Sequence, residues 1–326
     1  MKKLLVFVCV SISLLVNGQR KSPGKKLYYF LTKDSLLGVK AGYGKVIIKA
    51  RRIYCYGDKD LKKPIKEELI YLDASDDDIV EPHSCGVVYN RKGQFLFAPF
   101  FFDNGADFFS EGMMRFVKNK KMGFADRNGS IVIEAKYDYV NSFNYGIASY
   151  CNGCLWKNKG EHSFVTGGIL GYISSKGDSL VASLKKENDK DQIVERDKFL
   201  PYQFYYTALE QKIIDSFYGL SLISKSYFVN HYSSLDSNER KLHFEIVERP
   251  SSCYPYYHIK AFEFSNCGGY NSNEILDLNF YVDKMRQQFF YLDYYNKKIL
   301  LGKWLKESVK EASEFVKNHP DAPYKL

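Results

Sequence analysis

Tryptophan is almost missing from this chain: two in 326 residues, beside 27 tyrosines and 24 phenylalanines. Histidine is sparse too, with six scattered residues and no His-Glu-x-x-His helix to hold a zinc ion. There is no Gly-x-Ser-x-Gly nucleophile elbow, because Gly219-Leu220-Ser221 continues into Leu222-Ile223. Nor is there a phosphate-cradling loop: Cys267-Gly268-Gly269-Tyr270 is short and sits between two strand-like segments, so it reads as a turn. Basic residues never cluster densely enough to follow a phosphate backbone, which argues against a nucleic-acid partner. These gaps remove the common enzyme templates, and no cofactor or metal site is expected.

Long apolar runs are also lacking after the first eighteen residues. Met1-Lys2-Lys3 is a short cationic start, Leu4 to Val16 is uncharged and mostly apolar, and Val16 and Gly18 suit a peptidase cut before Gln19. Those are the three parts of a secretory signal. A membrane-spanning helix needs about 20 apolar residues, more than this run supplies. Residues 1–18 are therefore expected to be a signal peptide, and the mature protein to be secreted or periplasmic with no transmembrane segment. Without Lys2 and Lys3 the formal charge of +9 becomes about +7, which suits an anionic envelope surface or polysaccharide and equally suits simple solubility.

Export changes how cysteine is read. Cys9 leaves with the signal, and six remain. An even number in an oxidising compartment favours disulfides. Cys151-Asn152-Gly153-Cys154 can close on itself across a tight turn, Cys253 and Cys267 can bracket a strand, and Cys55 with Cys85 is the remaining pair. Other pairings stay open. A redox or zinc role for Cys151 and Cys154 would need a helix N-terminus or two further ligands.

What the chain has in quantity is glycine-punctuated β pattern. Leu37-Gly38-Val39 leads to Gly44-Lys45-Val46-Ile47-Ile48. Cys85-Gly86-Val87 leads to Gly93-Gln94-Phe95-Leu96-Phe97. Met122-Gly123-Phe124 leads to Gly129-Ser130-Ile131-Val132-Ile133, and Leu170-Gly171-Tyr172 to Gly177-Asp178-Ser179-Leu180-Val181. The glycine-to-glycine gap is six, seven, six and six residues. Arg91-Lys92-Gly93, Arg127-Asn128-Gly129 and Ser175-Lys176-Gly177 are polar turns that tolerate positive φ, so each unit reads as a hairpin. One hairpin cannot bury its apolar face, so neighbours must stack.

The run Phe109-Ser110-Glu111-Gly112-Met113-Met114-Arg115-Phe116, continuing through Met122-Gly123-Phe124-Ala125-Asp126-Arg127-Asn128-Gly129 to Lys136-Tyr137-Asp138, resembles the tryptophan–glycine (WG) repeat family. The likeness extends over residues 35–182. It implies a β-rich array, mostly without assigned activity. Leu37, Cys85, Met122 and Leu170 stand where that family keeps its tryptophan.

The organisation expected is thus a β-hairpin repeat domain over 27–184, a charged linker over 185–198 and an α+β domain over 199–326. Ten of the fourteen residues from Lys185 to Lys198 are charged, with the signs balanced. Beyond them, Tyr202 to about Asn230 carries apolar residues at helical spacing, including Leu209, Ile213, Phe217 and Leu220, with Gly219 as an interruption. Leu242–Ile246, Tyr256–Phe264, Leu276–Val282 and Phe289–Tyr294 read as strands. A final helix over Lys303–Lys317 places Leu305, Val309, Ala312 and Val316 on one face. The fold class is mainly β with an α+β C-terminal domain, which is similar to a cystatin-like sheet wrapped on a helix.

Candidate chemistry is thin. His243 and His258 sit on neighbouring strands and could share a pocket with Glu245 or Glu263, or be ordinary strand histidines. Asp76-Asp77-Asp78 offers oxygens to calcium but lacks the alternate spacing and the glycine of a calcium loop. Tyr139, Tyr145, Trp156, Tyr254, Tyr256 and Tyr257 could stack on a sugar, or simply pack in a β-rich core. The expected function is exported, non-enzymatic recognition of an envelope protein or glycan through the repeat surface. Two rivals remain: a small-ligand carrier using an apolar hollow of the C-terminal sheet, and an envelope hydrolase gathering His243, His258 and carboxylates.

Overall fold

Four polar turns give the repeat array its frame. The computed structural model describes residues 26–51, 59–73, 80–159, 162–195, 197–230, 242–263, 278–285, 288–293 and 297–320. The signal segment, Asp76-Asp77-Asp78, Cys55 and Cys267 lie outside them, and with them the pairings Cys55–Cys85 and Cys253–Cys267. In each turn one residue donates its N–H to a carbonyl four residues on and accepts from the turn glycine. Ala41 pairs so with Lys45 and Gly44, Asn90 with Gln94 and Gly93, Asp126 with Ser130 and Gly129, and Ser174 with Asp178 and Gly177. The glycines stand at φ +94°, +79°, +82° and +85°. That is the three-residue hairpin loop whose last position is left-handed and excludes a Cβ. The Asn90, Asp126 and Ser174 side chains also accept from backbone N–H groups inside their turns, which makes the loops self-capping.

Each unit proves to be a three-stranded meander, one strand more than the sequence pattern suggests. The first is Leu27–Leu31, Leu37–Ala41 and Val46–Arg51; the second is Leu69–Leu72, Val87–Asn90 and Phe95–Pro99. The third is Met113–Lys118, Lys121–Asp126 and Ile131–Tyr137, and it joins the second in one six-stranded sheet. In the fourth, Ile147–Asn152 pairs with Ile169–Ser174 and then Ser179–Leu180, with a hairpin (Leu155–Lys159, His162–Thr166) inserted between its first two strands. Cys151 and Cys154 are disulfide-bonded at the root of that insertion.

The second unit corrects the alignment. Counting back from the turn, Gly38, Gly123 and Gly171 occupy equivalent strand positions, and the matching residue is Val87 rather than Gly86. Gly86 is one residue early, at φ +68°, where an added Cβ would lie 2.5 Å from the Leu72 carbonyl oxygen. Its seven-residue gap is therefore a real offset. Gly123 has a different reason to be glycine: a Cβ there would lie 2.4 Å from the Ile133 carbonyl oxygen across a β-bulge.

Consecutive units share their cores. Leu37, Val39 and Ile48 pack with Ile70, Leu72 and Val87 of the next unit. Val88 and Phe97 pack with Phe116 and Ala125, and Phe124 and Ile133 with Phe143, Ala148 and Ile173. Each fully buried Val, Leu, Ile or Phe side chain contributes roughly 1.5–3 kcal/mol, so the array is held by its interfaces as a stacked repeat requires.

The C-terminal part is a five-stranded antiparallel meander: Leu242–Glu248, Tyr256–Glu263, Asn279–Asp283, Phe289–Leu292 and Lys298–Leu300. Helix α1 (Ala208–Tyr218), α2 (Ser221–Asn230) and α3 (Leu301–Asn318) supply Ile213, Phe217, Ile223 and Leu301 to a core with Phe244, Ile259 and Phe280. These helices cover one face of the sheet. α1 starts later than its apolar spacing suggests, because Thr207 and Glu210 form a reciprocal capping box, and Leu209 is left exposed. The charged stretch 185–198 also carries structure: Gln192–Glu195 pairs with Lys198–Leu200, and Asp191 is buried, accepting from the N–H groups of Glu187, Asn188 and Tyr202. No helix among the described residues is long and apolar enough to cross a membrane.

Candidate functional site

The face of the C-terminal sheet opposite the helices meets the repeat array, and the join is built from two tight turns. Ser110-Glu111-Gly112-Met113 and Asn144-Tyr145-Gly146-Ile147 each close with a pair of backbone bonds between their outer residues. All four central residues have positive φ, including Tyr145 at 55°, the mirror-image turn that fits strand twist. Glu111 ties the two together, its carboxylate accepting from the N–H groups of Tyr145 at 2.7 Å and Gly146 at 2.8 Å. Burial raises the Glu111 pKa, while the Lys260 charge and those two N–H donors oppose the shift.

Tyr145 is a joint residue rather than a binding surface. It is buried, with its ring against Phe262, Phe204 and Tyr202. Behind it, the fully buried Glu245 carboxylate accepts from the Tyr206 hydroxyl, from the Tyr202 hydroxyl at 2.7 Å and from Lys190 Nζ at 2.9 Å. Burial, with the Glu245 charge adding, raises both tyrosine pKa values. At the other side of the join, Arg127 Nε donates to Glu248 at 2.8 Å, and its guanidinium lies between the Phe109 and Tyr254 rings. Cys253 Sγ donates to Asn128 Oδ1 at 2.9 Å.

Between these contacts lies a cleft of about 580 Å³. Its repeat wall carries Phe102, Phe108, Ser110, Arg115, Asn141 and Asn144, and its sheet wall carries His258, Lys260, Asn279 and Tyr281. Phe102 and Phe108 meet edge to face at the rim, half exposed. Arg115 is buried behind them in a bidentate pair with Asp107, at 2.9 and 2.7 Å, with its guanidinium over the Phe100 and Phe102 rings. Lys260 is buried and donates to Asn144 Oδ1 at 3.2 Å. Burial lowers its pKa, with the Glu111 charge opposing. His258 stacks on Tyr281 and pairs through Nε2 with Asn279 Oδ1 at 2.7 Å. Its buried Nδ1 has no hydrogen-bond partner among the described residues. Burial pushes its pKa down to about 4, against the Asn279 hydrogen bond, so the ring is neutral at pH 7 and Nδ1 is the acceptor when Nε2 carries the proton.

The residues singled out from sequence fall in three places. Tyr139 and Trp156 pack together with Phe100 beside the core shared by the third and fourth units, Trp156 stacking on His83. The Tyr139 hydroxyl orients Asn141 of the cleft. Tyr145 lies in the joint. Tyr256 and His258 share the cleft face of the sheet, with Tyr256 packed edge-on against Phe290. His243 and His258 are not brought together: the register sets His243 opposite Phe262 and His258 opposite Glu248, far apart along the ladder. Among the described residues no group of three or more His, Cys, Asp or Glu could hold a metal ion. Sequence reading missed Phe102, Phe108, Asn144 and Lys260. A usable signal existed in Phe109-Ser110-Glu111-Gly112 and Phe143-Asn144-Tyr145-Gly146, two copies of one inter-strand turn.

Residues 122–156 match the family model described as the WG containing repeat. That segment covers the second and third strands of the third unit, the Asn144–Ile147 turn and the start of the fourth unit. The chain thus carries a WG-type β-repeat. Curated proteins and solved structures gave no match.

Proposed function

We propose that this is an exported, non-enzymatic recognition protein of the cell envelope, which holds its partner in the cleft between the repeat array and the C-terminal sheet. The observation that carries this reading is that both parts of the chain supply the cleft walls, with half-exposed aromatic rings at the rim and amides, hydroxyls and a buried lysine inside. The WG-type repeat supports an interaction role, and the leader-like residues 1–18 support export. The carrier alternative is less favoured, because one sheet face is covered by helices and the other lines a mixed polar cleft.

The test is a crosslinking pull-down with the tagged mature chain from its native envelope fraction, read by mass spectrometry and glycan analysis. Wild type should retain one partner near stoichiometry, and Phe102→Ala/Phe108→Ala/Lys260→Gln should lose it. A control at the exposed edge of the fourth unit, Leu170→Ser, should keep it. Capture that ignores the cleft substitutions, or no capture at all, contradicts the reading.

A further inference from the structure

We infer that the cleft takes an acidic saccharide, whose carboxylate meets Lys260 and whose sugar ring lies against the Phe102–Phe108 rim. This rests on the recognition reading above and names its ligand class.

Charge comes first. Among the described residues the cleft lining includes Arg115, Arg127 and Lys260 and no carboxylate. Two of those cations are already matched from behind, Arg115 by Asp107 and Arg127 by Glu248. Lys260 is not matched in that way. Its only hydrogen bond among the described residues goes to Asn144, and its ammonium otherwise faces the Phe262 ring, with Glu111 acting at longer range. An ammonium has three donors, and two of these have no hydrogen-bond partner among the described residues. A buried cation with spare donors in a cleft wall is a strong site for an anionic oxygen.

Shape and polarity choose the rest of the ligand. Ser110, Ser142, Asn141, Asn144 and Asn279 all line the cleft. Hydroxyl and amide side chains both donate and accept, as an array of sugar hydroxyls does. His258 adds an imidazole that is neutral at pH 7, with a buried Nδ1 that has no hydrogen-bond partner among the described residues. At the mouth, Phe102 and Phe108 are 40% and 49% exposed and meet edge to face. They offer an apolar edge to the C–H face of a pyranose ring, while a compact inorganic anion would leave them idle. Peptide recognition would instead use an open sheet edge or a row of side-chain pockets, whereas this lining sets amides, hydroxyls and cations among the rings.

The probes are a galacturonate tetrasaccharide and its methyl ester, which keeps the sugar rings and removes the charge. Calorimetry with the mature chain should show the acid binding about tenfold or more tighter than the ester, the size of one charge-assisted hydrogen bond. Lys260→Gln should abolish that preference and Lys260→Arg should keep most of it. Phe102→Ala/Phe108→Ala, at half-exposed positions and with its fold checked by the urea midpoint, should weaken acid and ester alike by roughly three- to tenfold. Equal binding of acid and ester, an acid preference that survives Lys260→Gln, or binding of neither probe would overturn the assignment. If neither probe binds while envelope capture still depends on the cleft residues, the saccharide assignment falls and the recognition reading stands. If capture is also indifferent to the cleft, both fall.

Discussion

Asp107→Ala is expected to lower stability by about 3–5 kcal/mol, the cost of leaving one member of a buried ion pair alone. Arg115 and Asp107 have side chains only 2% and 1% exposed, and their bidentate contact is reinforced by the Arg115 N–H, which donates to Asp107 Oδ2 at 3.0 Å. Without the carboxylate, the guanidinium keeps one contact to the Val140 carbonyl at 3.4 Å and the rings of Phe100 and Phe102. The loss should appear as a lower midpoint in urea with little change in slope. Replacing both partners by apolar residues, Asp107→Leu with Arg115→Met, should recover most of the stability, because the burial cost of two charges disappears with them. Saccharide binding should not recover with it, since the Phe102 ring would lose the guanidinium beneath it. A double variant as unstable as the single one would show that the pair does more than neutralise itself.

Acidification should destabilise wild type more than a His258→Gln variant, by roughly 2 kcal/mol between pH 7.5 and 5. The sign follows from where the proton binds. An unfolded histidine titrates near 6.5, while burial pushes His258 down to about 4 in the fold. Between those values the unfolded chain holds the extra proton, so the full stability is present above 6.5 and is lost as pH falls toward 4. Arg127 and Lys260 add to the downward shift and Asn279 opposes it. Glu111 and Glu248, both raised by burial, slope the other way, which is why the difference between wild type and variant is the quantity to measure. Parallel pH profiles for the two proteins would contradict the burial of a neutral imidazole.

The hairpin turns were legible because glycine at a left-handed position is a local demand, written at Gly44, Gly93, Gly129 and Gly177. The α+β order of the C-terminal part was legible for the same kind of reason, from period-two strands and a helical apolar spacing. What escaped were matters decided between elements. The first strand of the second unit, Leu69–Leu72, carries no glycine mark and is defined only by its partner Val87–Asn90. Gly86 imitated the leading glycine one residue out of register. Tyr145 could be read as a sugar-stacking aromatic or as core packing, and only the sheet that closes over it decides for packing. The charged stretch 185–198 hid Asp191, whose carboxylate organises a turn, and Lys190, whose ammonium reaches Glu245. Lys260 gave no sign at all: a lysine in an alternating strand reads as a solvent-facing residue, and only the docking of the repeat array buries it.

The most direct measurement is hydrogen exchange on the chain from Gln19 onward, alone and with the envelope fraction proposed to hold its partner. The account predicts new protection over residues 101–110, 141–146 and 256–262, the segments that wall the cleft, and none over the exposed edge at 164–170. Protection confined to 164–170, or to the helices α1 to α3 on the far side of the sheet, would contradict it and place recognition elsewhere on the molecule.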